Sequence, residues 1–239
     1  MKIRNCIAFT AAAAFASIAS AGPSITVKYL GKGAGQDVNI TFNGNSTNVF
    51  AGQLNHQLSN AGGGYGWLNG NHLTYCTDLS QYVTSTPKTY TIEDVKDIPG
   101  NAPMGQAKAD ALRALFAVAG GNQSVSTTSN DYATAFQLTV WEIVTDYNSS
   151  SFAINAASFT GGNFRAKKTG GSALSSSIVN TATSLYNAAT SFLQTNGSST
   201  ELLGIASSSY QDQLVRVPAP GAALLAGFGG LIATRRRRA

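Results

Sequence analysis

Between residues 24 and 60, β-branched and aromatic residues gather in short runs separated by Gly- and Asn-rich breaks. Ser24 to Leu30, Asp37 to Phe42 and Asn48 to Leu54 therefore predict strands. Beyond the flexible Ala61 to Gly64 stretch, Asn71 to Leu79 and Lys88 to Val95 predict two more. The period then changes to that of a helix. Ala107, Leu112, Leu115, Phe116 and Ala119 form a stripe opened by Pro103 and closed by Gly120 and Gly121. Tyr132, Phe136, Val140, Ile143, Val144 and Tyr147 trace a second helix, with Asn130 as its N-cap and Asp131 in the first turn. A third runs from Ser177 to Gln194 through Ile178, Ala182, Leu185, Ala189 and Phe192. Glu201 to Ala206 and Gln211 to Val217 return to strand. The pattern is α+β: sandwich- or barrel-like strands with a small inserted helical subdomain, without internal repeats.

The two ends break this pattern. Lys2 and Arg4 precede an uncharged, mostly apolar run from Cys6 to Ile18, and Ala19-Ser20-Ala21 supplies small residues at a peptidase site. These are the three parts of a secretory signal spanning residues 1–21, with signal peptidase as its processing partner. At the other end, Gly221 to Thr234 is apolar and small, and Arg235, Arg236, Arg237 and Arg238 follow directly. As a helix this stretch would reach roughly 21 Å, less than the roughly 30 Å hydrocarbon core, with the arginines held on the cytoplasmic side. Val217-Pro218-Ala219-Pro220, the short apolar stretch and the arginine cluster together resemble a PEP-CTERM sorting signal over residues 217–239. That resemblance implies an exosortase partner, a transient stay in the inner membrane, and delivery to the surface or matrix of a Gram-negative bacterium. Ala219 occupies the place of the family's name-giving glutamate.

Charge changes meaning once the ends are set aside. The formal +5 becomes about −1 between Pro23 and Val217, where ten lysines and arginines face eleven acids. The body therefore offers no electrostatic case for nucleic acid. Its roughly 195 residues suffice for one domain, 22–216. Cys6 leaves with the signal, so Cys76 is the single cysteine of the mature chain. An internal disulfide and a cysteine-cluster zinc site are both excluded, and no cofactor is expected.

Alternation along Asn71 to Leu79 puts Leu73, Tyr75 and Leu79 on one face and His72, Thr74, Cys76 and Asp78 on the other, polar face. Tyr75-Cys76-Thr77-Asp78 on a strand resembles the cysteine motif of the thioester domains of Gram-positive adhesins. Phe136-Gln137-Leu138-Thr139-Val140-Trp141-Glu142 on a helix resembles their glutamine motif, with Thr139 where a small apolar residue is usual. The resemblance implies an internal thioester between Cys76 and Gln137. A thioester is an activated acyl group, open to attack by an amine or hydroxyl of a surface protein or polysaccharide. It must be kept from water. Trp141, one turn beyond Gln137, can supply the cover. His72 shares the Cys76 face and is a candidate supporting residue.

Two other readings compete. Cys76 could serve a hydrolase or acyltransferase with His56 or His72, although such nucleophiles usually sit at a helix N-terminus. Alternatively, the protein is an inert component of an exopolysaccharide matrix. The leading expectation is an exported covalent binder used once per molecule rather than a turnover enzyme. Terminal peptide mapping of material from the producing cell should find a start near Gly22 and no peptide beyond about Gly221. Recovery of the arginine tail from released protein would contradict the sorting role.

Overall fold

The computed structural model describes residues 22–119, 128–151, 159–197 and 202–217. The predicted signal segment, and the sorting tail from Pro218 to Arg238, lie outside the described residues. The first two strands, β1 (Ser24–Phe42) and β2 (Asn45–Ser59), form one long hairpin. Its turn is Asn43-Gly44, with φ of 48° and 83°. A two-residue turn that follows strand twist requires positive φ at both positions, which Asn-Gly tolerates best. The runs expected at Ser24–Leu30 and Asp37–Phe42 are thus a single strand, bent by register shifts between Tyr29 and Gly35. Gly35 opposes Gly52 there, and a Cβ on either would collide with the facing backbone. The bend lets β1 serve two partners besides β2: its start pairs with β4 and its end with β5.

The remaining strands are β3 (Gly70–Cys76), β4 (Lys88–Glu93), β5 (Phe164–Lys168), β6 (Leu202–Ala206) and β7 (Gln213–Arg216). All pairings are antiparallel, and they run β1-β2-β3-β7-β6-β4 and back to β1. Six strands therefore close a ring, with β5 attached to the far half of β1. Ile25, Val27, Leu58, Tyr90, Ile92, Ile205 and Val215 form an apolar cluster contributed by these strands. The α+β expectation holds, in its barrel-like form.

Among the described residues three helices cover the barrel: α1 (Gln106–Ala119), α2 (Asn130–Asp146) and α3 (Ser176–Asn196). Pro103 precedes α1 by three residues rather than opening it, and Ala109 is buried where Ala107 was expected. The N-cap of α2 is Ser129, whose hydroxyl accepts from the Tyr132 amide. Asn130 is already helical and uses its side chain to accept from the Gly35 amide of β1. Every residue of α2 from Ala133 to Ile143 is buried, so this helix is enclosed on all sides. α1 and α3 pack along part of it, and the barrel wall lies against the rest. Among the described residues no helix is long and apolar enough to cross a membrane.

Enclosure has a consequence at Glu142, which is 0% exposed with neither carboxyl oxygen hydrogen-bonded to protein. Burial, with Asp146 nearby, pushes its pKa from 4.5 up to about 8. The folded protein then holds a proton that the unfolded chain releases. The contribution of this group to stability should fall as pH rises from about 4.5 to about 8 and level off beyond. Glu142→Gln removes that penalty while keeping the shape. Its melting temperature should match the parent's near pH 4.5 and exceed it by on the order of 10 °C at pH 8. Parallel melting curves for the two proteins would refute the buried-acid reading.

Candidate functional site

β3 delivers Cys76 at its last residue, where it pairs with Gln213 of β7. α2 delivers Gln137 from the middle of its buried stretch. Several contacts fix the helix against the barrel hairpin. Asn130 binds the Gly35 amide, Gln36 donates to Asp131, and the Thr134 hydroxyl donates to the Ala51 carbonyl. Immediately beside the pair, Tyr75 packs on Phe136 with ring centroids 4.5 Å apart, and Phe116 of α1 meets Phe136 edge-on at 4.9 Å. The residues preceding Cys76 and Gln137 thus set the register in which those two meet. Thr139 is also accounted for, since its buried hydroxyl donates back to the Ala135 carbonyl within the helix.

The two expected partners are in direct contact. The Gln137 Oε1 accepts from the Cys76 backbone N–H at 3.0 Å, and its Nε2 donates to the Cys76 carbonyl at 2.9 Å. A side-chain amide held at both ends is fixed in one orientation. The Cys76 Sγ donates to the Asp78 carbonyl at 2.9 Å. Both side chains are buried, at 2% and 1% exposure. Burial drives the thiol pKa well above its ordinary value, and the nearby Asp78 and Asp212 carboxylates add to the rise. The resting thiol is therefore neutral. Trp141 is itself buried, its indole N–H without a geometric hydrogen-bond partner, and its ring packs against Phe164 at 5.9 Å. Cys76, Leu54, Leu138 and Trp141 belong to one apolar cluster, so the polar face expected for Cys76 is dry at this end.

A cleft of about 460 Å³ reaches this point from the surface, and Cys76, Gln137 and Trp141 line it. One wall comes from the β1–β2 hairpin through Tyr29, Lys32 and Phe50. The other is the segment after β3, through Leu79, Gln81 and Tyr82. The Tyr29 amide donates to the Thr84 carbonyl, and the Gln211 amide donates to that of Tyr82. The Gln211 side chain also donates to the Asp78 and Gln81 carbonyls, which fastens this wall. Behind it, the buried Asp212 carboxylate accepts from the Gly100 and Ser207 amides, both at 2.7 Å. Burial chiefly raises its pKa to about 6.

The histidines are placed elsewhere. His72 is half-buried with Nε2 bonded to the Leu68 carbonyl, and it does not line the cleft. Four residues along a strand, roughly 13 Å, separate it from Cys76. His56 is buried, bonded through Nδ1 to the Thr74 hydroxyl, with its pKa lowered to about 4 by burial. Of the sorting motif only Val217 lies within the described residues, one position past β7. Among the described residues no cluster of His, Cys, Asp and Glu could hold a metal ion. The cleft walls were not expected from sequence. Their one advance signal is the density of aromatics and amides between Tyr29 and Phe50 and around Gln81.

No family model, curated protein or solved structure matches this chain.

The amide clasp can be measured apart from any covalent link. Cys76→Ala keeps both backbone partners of Gln137 and removes the sulfur. Adding Gln137→Ala to it strips two buried hydrogen bonds and opens a cavity. Urea unfolding should place the double variant about 2–4 kcal/mol below Cys76→Ala. Equal stabilities would mean that the clasp contributes nothing.

Proposed function

We propose that this protein is an exported, single-use covalent binder whose reactive group is an internal thioester between Cys76 and Gln137. The observation that carries the reading is the Gln137 carboxamide held at both ends on the backbone of Cys76. Sulfur attack on the amide carbon places negative charge on Oε1, where the Cys76 N–H already points. The carbon–nitrogen bond then breaks, and the amide nitrogen leaves as ammonia with the thiol proton. The acyl–sulfur bond that remains is opened when an amine or hydroxyl of a partner enters the cleft and attacks the same carbon. That step forms an amide or ester on Gln137 and returns Cys76 to a thiol. Each molecule does this once.

Burial favours this reading over a turnover hydrolase. A hydrolytic cysteine needs a thiolate and a base. Here the thiol is neutral, and His56 and His72 are bonded to Thr74 and Leu68 instead. A thioester carries no proton, and a dry pocket under an indole protects it from hydrolysis. The two terminal sequences support passage through signal peptidase and exosortase to the cell surface or its matrix.

Intact mass decides the matter. Folded mature protein should weigh less than its sequence by one ammonia. Methylamine should raise that by one methylamine, with the adduct on Gln137 and a free thiol at Cys76. Cys76→Ala and Gln137→Ala should each show neither change. Gln137→Glu should also fail, because a carboxylate is a poor electrophile. An unmodified mass in freshly folded protein, with no adduct, would leave the inert matrix component as the better account.

A further inference from the structure

The cleft that ends at Cys76 and Gln137 has a lining with a definite chemistry. The charged groups among the described residues lining it are Lys32 and Asp37. These neutralise each other at 2.8 Å, and the Lys32 ammonium also sits 4.7 Å from the Phe50 ring centre. The rest is aromatic, uncharged polar, or aliphatic through Val49, Leu54, Leu79 and Val83. Tyr29 and Phe50 form part of one wall, and Tyr82, 75% exposed, stands on the other. Thr47, Asn48 and Thr169 lie at exposed positions on the rim. Aromatic faces combined with neutral hydrogen-bonding groups suit a ligand with apolar C–H faces and many hydroxyls. A lysine side chain is a poorer match. It is held as an ammonium at neutral pH, and among the described residues no unpaired carboxylate lines the cleft to receive it.

The reacting atom can be narrowed as well. A hydroxyl is a weak nucleophile and needs a general base to remove its proton. Neither histidine lines the cleft, and Asp37 is engaged by Lys32. An amine requires no such base if its free form is populated near neutral pH. An amine flanked by oxygen-bearing carbons meets that condition, because they make it less basic than a lysine amine. We propose that the cleft selects a glycan carrying free amino groups, and that a sugar amine opens the thioester. This rests on the thioester reading. The sugar amine attacks the Gln137 acyl carbon, the carbon–sulfur bond breaks, and the amine proton passes to sulfur. The products are a Gln137 amide to the glycan and a free Cys76 thiol.

The test compares opening rates for three amines at equal free-base concentration: a glucosamine hexamer, Nα-acetyl-lysine amide, and methylamine. The glucosamine hexamer should react about tenfold or more faster than the lysine derivative, as stacking on aromatic walls provides. The adduct should map to Gln137. The fully N-acetylated hexamer should slow this reaction without forming an adduct. Tyr82→Ala should lower the ratio of the glucosamine-hexamer rate to the methylamine rate measured on the same variant. If methylamine reacts but the lysine derivative matches or outpaces the glucosamine hexamer, the glycan proposal is wrong and a protein amine is the better partner. If methylamine fails too, the thioester reading itself falls, and this proposal falls with it.

Discussion

The two hydrogen bonds between the Gln137 carboxamide and the backbone of Cys76 are the contact on which the rest of this arrangement depends. They join the end of a barrel strand to the middle of a helix, and each group involved is buried. Leaving any of them unpaired would cost about 1–3 kcal/mol. The surrounding structure serves that placement. The Tyr75–Phe136 packing fixes how far the helix slides along the strand, and Asn130, Asp131 and Thr134 fix how it lies on the hairpin.

The site combines two demands that usually conflict. The sulfur and the amide sit in an apolar cluster with Trp141 and Leu138, which keeps the thiol neutral. Yet the same residues form the inner end of a cleft that opens to solvent. Closing the barrel makes this possible. With the strands tied into a ring, the segment after β3 can stand away from the hairpin and still be held by Gln211 and Thr84.

Sequence showed the helices and most strands because their periodicity is local. It also singled out Cys76 and Gln137 as a pair, on residue type and motif alone. What it missed depends on contacts distant in the chain. The ring closure pairs β3 with β7, which no local pattern encodes. The five residues of β5 form a strand only because the bent end of β1 offers them a partner. The Asn43-Gly44 turn, by contrast, is a local hairpin signal between two β-rich runs that the strand expectations left unused. His72 illustrates a different limit. Alternation places it correctly on the Cys76 face, but sharing a strand face does not bring residues four positions apart into contact.

Cys76 and Gln137 are 61 positions apart, and the chain between them contains β4 and α1. A covalent bond here would tie that whole stretch into a closed loop. By the usual chain-entropy relation, a cross-link over such a span stabilises a fold by about 4 kcal/mol. Capture of a partner would break such a link and so remove that restraint. The unreacted molecule would be the more robust form, and the spent one the more readily unfolded and degraded. Reaction history would then be recorded in the protein's lifetime as well as in its chemistry.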